Sequence, residues 1–522
     1  MHPIISRIST AGLRLGSNFS KRSISVKTRP KVDIKLGQPT FETRPHIIPQ
    51  PGNLTPGISA LEYFNRRLKL AAQLPDNSLA IIIGNSVQYS SGAVFYDFQQ
   101  NNDFYYLTGW LEPDSVMVLE KKGTGSRDED VALHMLVPPN DPQREQWEGA
   151  KSGLEGAYEF FNADYVEDIS KAPVYIRKLL SSTSNVFYDN QSNGGHLTSK
   201  SSTFKLFFNL GGTDSKNQTL NDVIMNCGKP VNPLKKLVAL QRSVKSPAEI
   251  EVMYAAGQIS SRAINKAMGQ VATTAPFRTE KTLAKYLEYQ FVKGGCDRQA
   301  YIPVVASGSN ALGIHYTRND DILYEDETVF VDAGGKLGGY CADISRTWPN
   351  SSNGFSEPQK DIYSAVLNTN KACIDLCDES QNCSLHDIHE FSVSTLKKEL
   401  SNITGFQHVT AADVRQLYPH YIGHHLGLDL HDVPSVSRFD KLKEGNVITI
   451  EPGLYIPETD AWPKLFRGIG VRVEDDIAIG KTAGETINLT SGCVKEIAGI
   501  ESLVSKGITT PGIDDEVVVL DI

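Results

Sequence analysis

The chain of 522 residues contains no apolar run near the roughly 20 residues that a membrane-spanning helix requires. Basic residues are not in excess either, since 52 Lys and Arg stand against 61 Asp and Glu, which gives a formal net charge of -9. A protein that binds nucleic acid through a broad surface needs clustered lysine and arginine, so this class is disfavoured. We therefore expect a soluble protein that binds no nucleic acid and acts on small or peptidic molecules.

The seven cysteines are odd in number and lack the regular spacing of a disulfide framework. A reducing compartment is the simpler expectation. Cys373, Cys377 and Cys383 precede His386 and His389, and thiolate and imidazole are common zinc ligands, but the spacing matches none of the usual zinc patterns. The preferred interpretation is a helix with small buried thiols, on which Cys373 and Cys377 stand one turn apart.

Acidic residues are absent before Asp33, in a stretch that carries seven basic residues and frequent serines. Apolar residues such as Ile8 and Leu15 stand between the charges. This composition is typical of a mitochondrial transit peptide, whereas an ordinary disordered tail has no reason to exclude Asp and Glu. We predict a transit segment over residues 1–36 and a mature protein in the mitochondrial matrix, with contact to the inner membrane left open.

Two globular domains are the natural expectation for a chain of this length. Over residues 37–235, apolar runs such as Ser78–Gly84 alternate with helical patterns, which favours an α/β domain. One such pattern predicts an amphipathic helix, with apolar positions at Leu61, Phe64, Leu68 and Leu70. A polar stretch over 181–216 interrupts the domain and is interpreted as an insertion or long loop.

The second domain, residues 236–522, has an unusually complete helix start. Ser246 can cap a helix, Pro247 suits the first helical position, and Glu249 closes a capping box. The apolar residues that follow recur at a helical period. The sequence therefore predicts a long helix near the beginning of this domain.

Two acids stand near a glycine-rich turn in the second domain. The β-branched apolar run Thr328–Asp332 ends in a carboxylate, and a Gly-rich segment leads from it to Asp343. This pattern predicts a hairpin on which Asp332 and Asp343 face each other across the ladder. Two carboxylates this close repel unless a cation lies between them. An acid beside a Gly-rich turn is also common in ordinary turns, so this pair alone leaves both interpretations open.

Four of the twelve histidines occur in His420–His431. A lone histidine is usually a hydrogen-bonded core residue, but four with glycine interruptions indicate a catalytic loop with a metal ligand. Glu451 ends another buried strand, and alternation places Arg472, Glu474 and Asp476 on one strand face. The combined acids and histidine are oxygen-rich, which suits two divalent ions, Mn²⁺ above all, whose charge the carboxylates balance.

At these residues the sequence resembles the aminopeptidase P branch of the pita-bread metallopeptidases, and most closely its mitochondrial members, which include fungal intermediate-cleaving peptidases and mitochondrial Xaa-Pro aminopeptidases. The motifs in matching order are Val331-Asp332-Ala-Gly-Gly335, Asp343-Ile-Ser-Arg-Thr347, His424-His-Leu-Gly-Leu-Asp-Leu-His431-Asp432, Glu451-Pro-Gly-Leu-Tyr455 and Arg472-Val-Glu474-Asp475-Asp476. Asp103-Phe-Tyr-Tyr-Leu-Thr-Gly109 and Pro138-Pro-Asn-Asp-Pro142 extend the resemblance to the first domain. The resemblance implies an α/β (α+β) protein, with an N-terminal creatinase-like α/β domain followed by a C-terminal pita-bread catalytic domain.

The resemblance also implies roles for individual residues. The implied metal ligands are Asp332, Asp343, His424, Glu451 and Glu474. Of these, Asp343 and Glu474 would bridge the two ions, Asp332 would bind one ion, and His424 with Glu451 would bind the other. The implied catalytic residues are His315, His420, His431, Glu451 and Arg472. Glu451 would move a proton from the nucleophilic water, His431 and His315 would hold the scissile carbonyl, and Arg472 would support the acidic residues.

The implied reaction is hydrolysis of the first peptide bond of a polypeptide. The wider family favours proline after the scissile bond, whereas the intermediate-cleaving members trim one N-terminal residue from imported proteins after presequence removal. The local motifs do not separate these two, and the transit-like N-terminus favours the second. A prolidase-like dipeptidase and a catalytically silent pita-bread binding protein are the alternatives, and homo-oligomerisation is left open.

Overall fold

A computed structural model describes residues 35–122, 130–190, 220–273 and 276–507. The predicted transit segment lies almost entirely outside the described residues, as does most of the predicted insertion over 181–216. In the described part of that stretch, the chain ends one helix at Ser182 and forms a strand over Asn185–Phe187. These residues therefore belong to regular structure, and the expectation of a loop there is wrong.

The N-terminal half is built on a mixed six-stranded sheet. The described strands of this half are β1 (Asn53–Thr55), β2 (Ile58–Ser59), β3 (Ser78–Ile83), β4 (Tyr89–Ser91), β5 (Val94–Phe95), β6 (Val116–Lys121), β7 (Val131–Val137), β8 (Tyr165–Asp168), β9 (Asn185–Phe187) and β10 (Val231–Asn232). The sheet has the order β10-β9-β3-β6-β7-β8. Strand β3 confirms the predicted buried strand, and its alternate residues enter two different cores because both faces of the sheet are covered.

The described helices of this half are α1 (Ala60–Gln73), α2 (Asn102–Thr108), α3 (Pro142–Glu148), α4 (Gly153–Glu159), α5 (Ala172–Ser182) and α6 (Leu220–Met225). Helix α1 forms where the sequence predicts a helix, but Leu61 is 65% exposed, so the predicted buried face is partly wrong. The buried face instead includes Arg66 and Arg67, whose guanidinium groups donate to the carbonyl oxygens of Tyr106 and Leu107. These bonds make the burial of two cations tolerable.

The later helices are α7 (Lys235–Arg242), α8 (Pro247–Gly269), α9 (Glu280–Lys293), α10 (Glu357–Ile374), α11 (Leu385–Ser401), α12 (Ala411–Leu417) and α13 (Ile497–Lys506). Ser246 caps α8, and the predicted capping box with Glu249 is present. Cys373 lies on α10, but Cys377 lies in the turn beyond its end, which corrects the predicted one-helix arrangement. Both thiols are buried among apolar side chains, and all seven cysteines are unpaired.

The described strands of the C-terminal half are all paired antiparallel. They are β11 (Arg298–Gln299), β12 (Val304–Ser307), β13 (Thr328–Asp332), β14 (Gly335–Leu337), β15 (Tyr340–Cys341), β16 (Ser345–Pro349), β17 (Val447–Ile450), β18 (Gly453–Tyr455), β19 (Gly470–Arg472), β20 (Asp475–Ala478) and β21 (Ile487–Asn488). They form the groups β12-β13-β16, β11-β14-β15, β17-β20-β21 and β18-β19.

Strands β16 and β19 meet side by side, although they belong to different groups. The Thr347 hydroxyl donates to the Arg472 carbonyl oxygen at 3.3 Å, and the Glu474 N–H donates to the Ser345 carbonyl oxygen at 3.1 Å. This junction brings the acids of two distant strand ends to one place. In the part of the chain that the structure describes, no helix is long and apolar enough to cross a membrane.

Candidate active site

The two acids of the predicted hairpin lie close together, although not directly opposite each other. Asp332 at the end of β13 pairs with Ser345, and Asp343 precedes Ser345 by two residues. The expectation that they face each other across the ladder is therefore corrected to a diagonal pair on neighbouring strand ends. The intervening Gly-rich segment forms its own short strands, β14 and β15, instead of a simple turn.

Tyr301 joins the two acids and was missed by sequence reasoning. Its hydroxyl lies within hydrogen-bond distance of Asp332 and 2.5 Å from Asp343 Oδ1. Burial, together with these two negative charges, holds the pKa of Tyr301 well above its usual range. The hydroxyl therefore stays protonated and is the hydrogen-bond donor to the two carboxylates. The position follows from the register, because Val304 of β12 pairs with Asp332. The pairing of β12 with β13 cannot be read from the sequence, so the sequence gives no sign that Tyr301 lies beside the two acids.

Three of the five predicted metal ligands form a tight group. Asp343, His424 and Glu474 each offer one ligand atom, and these atoms lie within 4.8 Å of one another. His424 Nε2 is also 3.7 Å from Glu451 Oε1. Asp332 adjoins the group through the Tyr301 hydroxyl that it shares with Asp343. The structure thus brings all five predicted ligands to one site.

The carboxyl groups of this site carry more negative charge than the protein compensates. Burial raises the pKa of Glu451 to about 7 and that of Asp332 to about 6, and it holds the pKa of Glu474 well above its usual range. Repulsion between neighbouring carboxylates adds to each of these shifts. Burial alone would raise the pKa of Asp343, but the hydrogen bond and charge of His424, together with the Tyr301 hydroxyl and the Arg472 charge, lower it. Cations placed among these oxygens would relieve the repulsion, so the donor set fits divalent ions.

Arg472 is the buried cation that holds the acidic residues in place. Its Nε donates to Ser345 Oγ at 2.9 Å, and its terminal nitrogens donate to the carboxylate of Asp332 and, at 2.7 Å, to the hydroxyl of Tyr455. Ser345 Oγ in turn donates to Glu474 Oε2 at 2.6 Å. The guanidinium therefore reaches two of the acids, Asp332 directly and Glu474 through Ser345.

His420 lies beside Glu451 as a neutral imidazole. Its Nδ1 is 2.8 Å from the Tyr421 carbonyl oxygen, and its Nε2 is 2.9 Å from the Tyr455 hydroxyl. A carbonyl oxygen can only accept, so Nδ1 carries the proton and Nε2 accepts from Tyr455. Burial and the charge of Arg472 lower the pKa of His420 to about 3. This histidine therefore serves as a fixed dipole and not as a charge.

His431 and His315 lie on the open side of the site. Both side chains are exposed, and the His431 ring lies 4.3 Å from the His424 ring, measured between centroids. Burial and the charge of His424 lower the pKa of His431, which favours its neutral form. His315 follows β12 on a loop and lies near enough to His420 and His431 to interact electrostatically with both.

Metal binding by these acids should be coupled to proton release. We expect the affinity of the metal-free protein for Mn²⁺ to increase as the pH rises through 6 to 7, because below their raised pKa values Asp332 and Glu451 hold protons that a cation must displace. Isothermal titration calorimetry in buffers of different ionisation enthalpy measures both the affinity and the protons released. An affinity that is constant over this pH interval, with no proton release, would contradict the expectation.

Comparisons with known proteins extend along both halves of the chain. Residues 63–188 match the family model "Aminopeptidase P, N-terminal domain", and residues 251–481 match "Metallopeptidase family M24". The protein named Intermediate cleaving peptidase 55 from Saccharomyces cerevisiae is 50% identical over 496 residues, which cover 95% of this chain and 94% of that protein. A crystal structure of this yeast protein without its N-terminal 58 residues has a TM-score of 0.76 at 48% identity, covering 88% of this chain and all of that one.

Two further relatives carry different names. Intermediate cleaving peptidase 55, mitochondrial, from Arabidopsis thaliana is 36% identical over 90% of this chain and 88% of that protein. Xaa-Pro aminopeptidase 3 from Rattus norvegicus is 35% identical over 97% of both chains. The matches span nearly the full length of each relative, so the similarity is not confined to the metal-binding motifs.

Proposed function

Because the chain belongs to the M24 family of metallopeptidases, within its aminopeptidase P branch, we propose that it trims one N-terminal residue from proteins imported into mitochondria, after their presequences have been removed. Family membership confirms the predicted aminopeptidase-P-like N-terminal domain, the pita-bread catalytic domain and the metallo-aminopeptidase activity. The observation that carries the proposal is the 50% identity, along 95% of the chain, to a protein named as an intermediate cleaving peptidase.

We also propose a location for the protein and bounds for its domains. Its relatives include a protein named as mitochondrial, which supports a mitochondrial location. We propose the matrix as the compartment and residues 1–36 as the transit segment, followed by domains over 37–235 and 236–522. The transit segment rests on its basic, acid-free composition.

We propose that two divalent ions would be held here, with Asp343 and Glu474 shared by both, Asp332 on one of them, and His424 with Glu451 on the other. Manganese is the proposed ion, because carboxylate and imidazole ligands suit it. When bound, the ions polarise the scissile carbonyl and activate the attacking water.

The remaining chemistry belongs to side chains around the metals. Glu451 lies between His424 and His420, 3.7 Å and 3.6 Å away, where its carboxylate can accept the proton of the attacking water. His431 and His315 face solvent, where their N–H groups can donate to the oxyanion that develops on the carbonyl oxygen. Arg472 donates to the Asp332 carboxylate and to the Tyr455 hydroxyl, and the Tyr455 hydroxyl donates to the neutral His420, so these groups hold one another in place.

A comparison of protein N-termini in mitochondria with and without this gene tests the proposal. We expect imported proteins to retain one additional N-terminal residue when the gene is absent and to lose it when the gene is restored. If only proteins with proline as their second residue change, the protein is a general Xaa-Pro aminopeptidase, as the similarity to Xaa-Pro aminopeptidase 3 would suggest. An unchanged set of N-termini would contradict the processing role and favour a dipeptidase or a catalytically silent binding protein.

A further inference from the structure

A cluster of charged side chains, most of them buried, joins the two halves of the chain beside the active site. Arg242, the last residue of α7, donates to Asp103 Oδ1 at 2.6 Å, to Asp429 Oδ2 at 2.7 Å and to Asp432 Oδ1 at 2.5 Å. Lys245 Nζ donates to the other oxygen of Asp432 at 2.9 Å, and both of these side chains are about 1% exposed. Asp103 lies on α2, so the cluster connects the N-terminal half with residues 420–433 of the catalytic half, which we call the histidine loop.

The histidine loop folds tightly around the Asp432 carboxylate. The Asp432 N–H donates to the His425 carbonyl oxygen at 2.8 Å, and the Asp429 N–H donates to Asp432 Oδ1 at 3.3 Å. Gly427 has no room for a side chain, because an added Cβ would lie 2.5 Å from Asp432 Oδ2. The carboxylate is therefore the centre around which this part of the backbone is arranged.

Val433, the residue after Asp432, is held in a backbone conformation that valine rarely adopts. Its φ is +44°, and its side chain is buried. A β-branched residue is an outlier in the left-handed region and persists there only where surrounding contacts impose it. The ion pairs of Asp432 lie next to Val433 in the chain and are contacts that can impose this conformation.

His431 immediately precedes Asp432 and lies with its ring centroid 4.3 Å from that of His424. Its own side chain is exposed, so packing does little to fix its position. The backbone that carries His431 is instead held at the next residue, Asp432, by the ion pairs of the Asp432 carboxylate. Although burial alone would raise the pKa of Asp432, the charges of Lys245 and Arg242 lower it, so this anchor is ionised.

We propose that Arg242 is a positioning residue for the peptidase reaction, which fixes His431 beside the metal ligands through Asp432 and, through Asp103, makes this placement depend on the docking of the N-terminal half. The inference rests on the proposed role of His431 in holding the scissile carbonyl. A displacement of about 1 Å at such a group can cost on the order of a hundredfold in rate. The N-terminal half thereby contributes to catalysis without touching the substrate.

Asp103→Asn in the full-length, metal-loaded enzyme tests this inference, with Glu62→Gln as the matched control. Glu62 is also a carboxylate of the N-terminal half at the boundary, but it accepts from Arg66 at 2.6 Å and from Ser246 at 2.7 Å, away from the histidine loop. We expect Asp103→Asn to lower kcat about tenfold, with KM and bound metal unchanged, and Glu62→Gln to keep the wild-type kcat. Arg242→Lys, which keeps the charge but loses the planar fork, should lower kcat in the same way.

Repeating the Asp103→Asn substitution in an enzyme that already lacks His431 separates a positioning role from a general structural effect. In a His431→Asn enzyme, Asp103→Asn should lower kcat no further, because the group that it positions is already absent. Equal losses in both backgrounds, or equal losses from Asp103→Asn and Glu62→Gln, would overturn the inference. A His431→Asn enzyme with wild-type kcat would instead show that the role proposed for His431 is wrong, and the positioning inference would fail with it.

Discussion

Asp343→Ala is expected to abolish measurable peptidase activity, lowering kcat by at least about a thousandfold, since polarisation by bound metal contributes several kcal/mol to the transition state. Asp343 lies at the centre of the site, where one oxygen is 3.5 Å from His424 Nε2 and the other accepts from Tyr301. It also belongs to the tight group with His424 and Glu474. Its loss should therefore remove a ligand common to both proposed metal positions.

The matched control for this variant is Asp361→Ala, which removes an exposed carboxylate from α10. Metal content, measured by inductively coupled plasma mass spectrometry, should fall in Asp343→Ala and stay at the wild-type value in Asp361→Ala. Thermal unfolding of the two metal-free proteins distinguishes a lost ligand from a lost fold. Wild-type turnover in Asp343→Ala would refute the assignment of Asp343 as a metal ligand.

The acids of the site could be predicted because each one ends a recognisable apolar strand or stands in a recognisable motif. The hydroxyl groups that connect them could not. Tyr301, Ser345 and Tyr455 donate to or accept from the acids, His420 or Arg472, and none was given a role from the sequence. Hydroxyl groups occur throughout a chain, and only the strand register and the junction of β16 with β19 place these three at one site.

The buried face of α1 shows a second limit of sequence patterns. A periodicity argument assigns arginine to the solvent side, yet Arg66 is buried between the two halves of the chain. Its guanidinium donates to Glu62 at 2.6 Å and to the Tyr340 hydroxyl at 3.2 Å, and it lies 3.4 Å from Glu249. Tyr340 and Glu249 belong to the catalytic half, so the pattern within α1 contains no information about them. Local features such as the capping box of α8 were predictable because all their partners lie within four residues.

Arg346→Met is expected to lower the free energy of unfolding by about 3–5 kcal/mol, because it removes one partner of a fully buried ion pair. Arg346 and Asp475 are both 0% exposed and 2.7 Å apart. The guanidinium donates to five acceptors, which are the carboxylate of Asp475 and the carbonyl oxygens of Ser345, Glu474, Cys493 and Val494. Methionine fills similar space but satisfies none of them, so several buried oxygens would lose their donor.

Urea unfolding of the metal-loaded proteins, followed by tryptophan fluorescence, measures this loss. Arg318→Met is the matched control, because Arg318 pairs with Asp320 at a similar 2.8 Å but is 77% exposed. Water replaces an exposed ion pair readily, so the control should keep the wild-type midpoint. Equal midpoints for Arg346→Met and Arg318→Met would mean that the buried Arg346 contacts contribute no more to the free energy of unfolding than an exposed ion pair does. Since Arg346 also donates to the backbone of Glu474, loss of the ion pair should weaken metal retention as well as the fold.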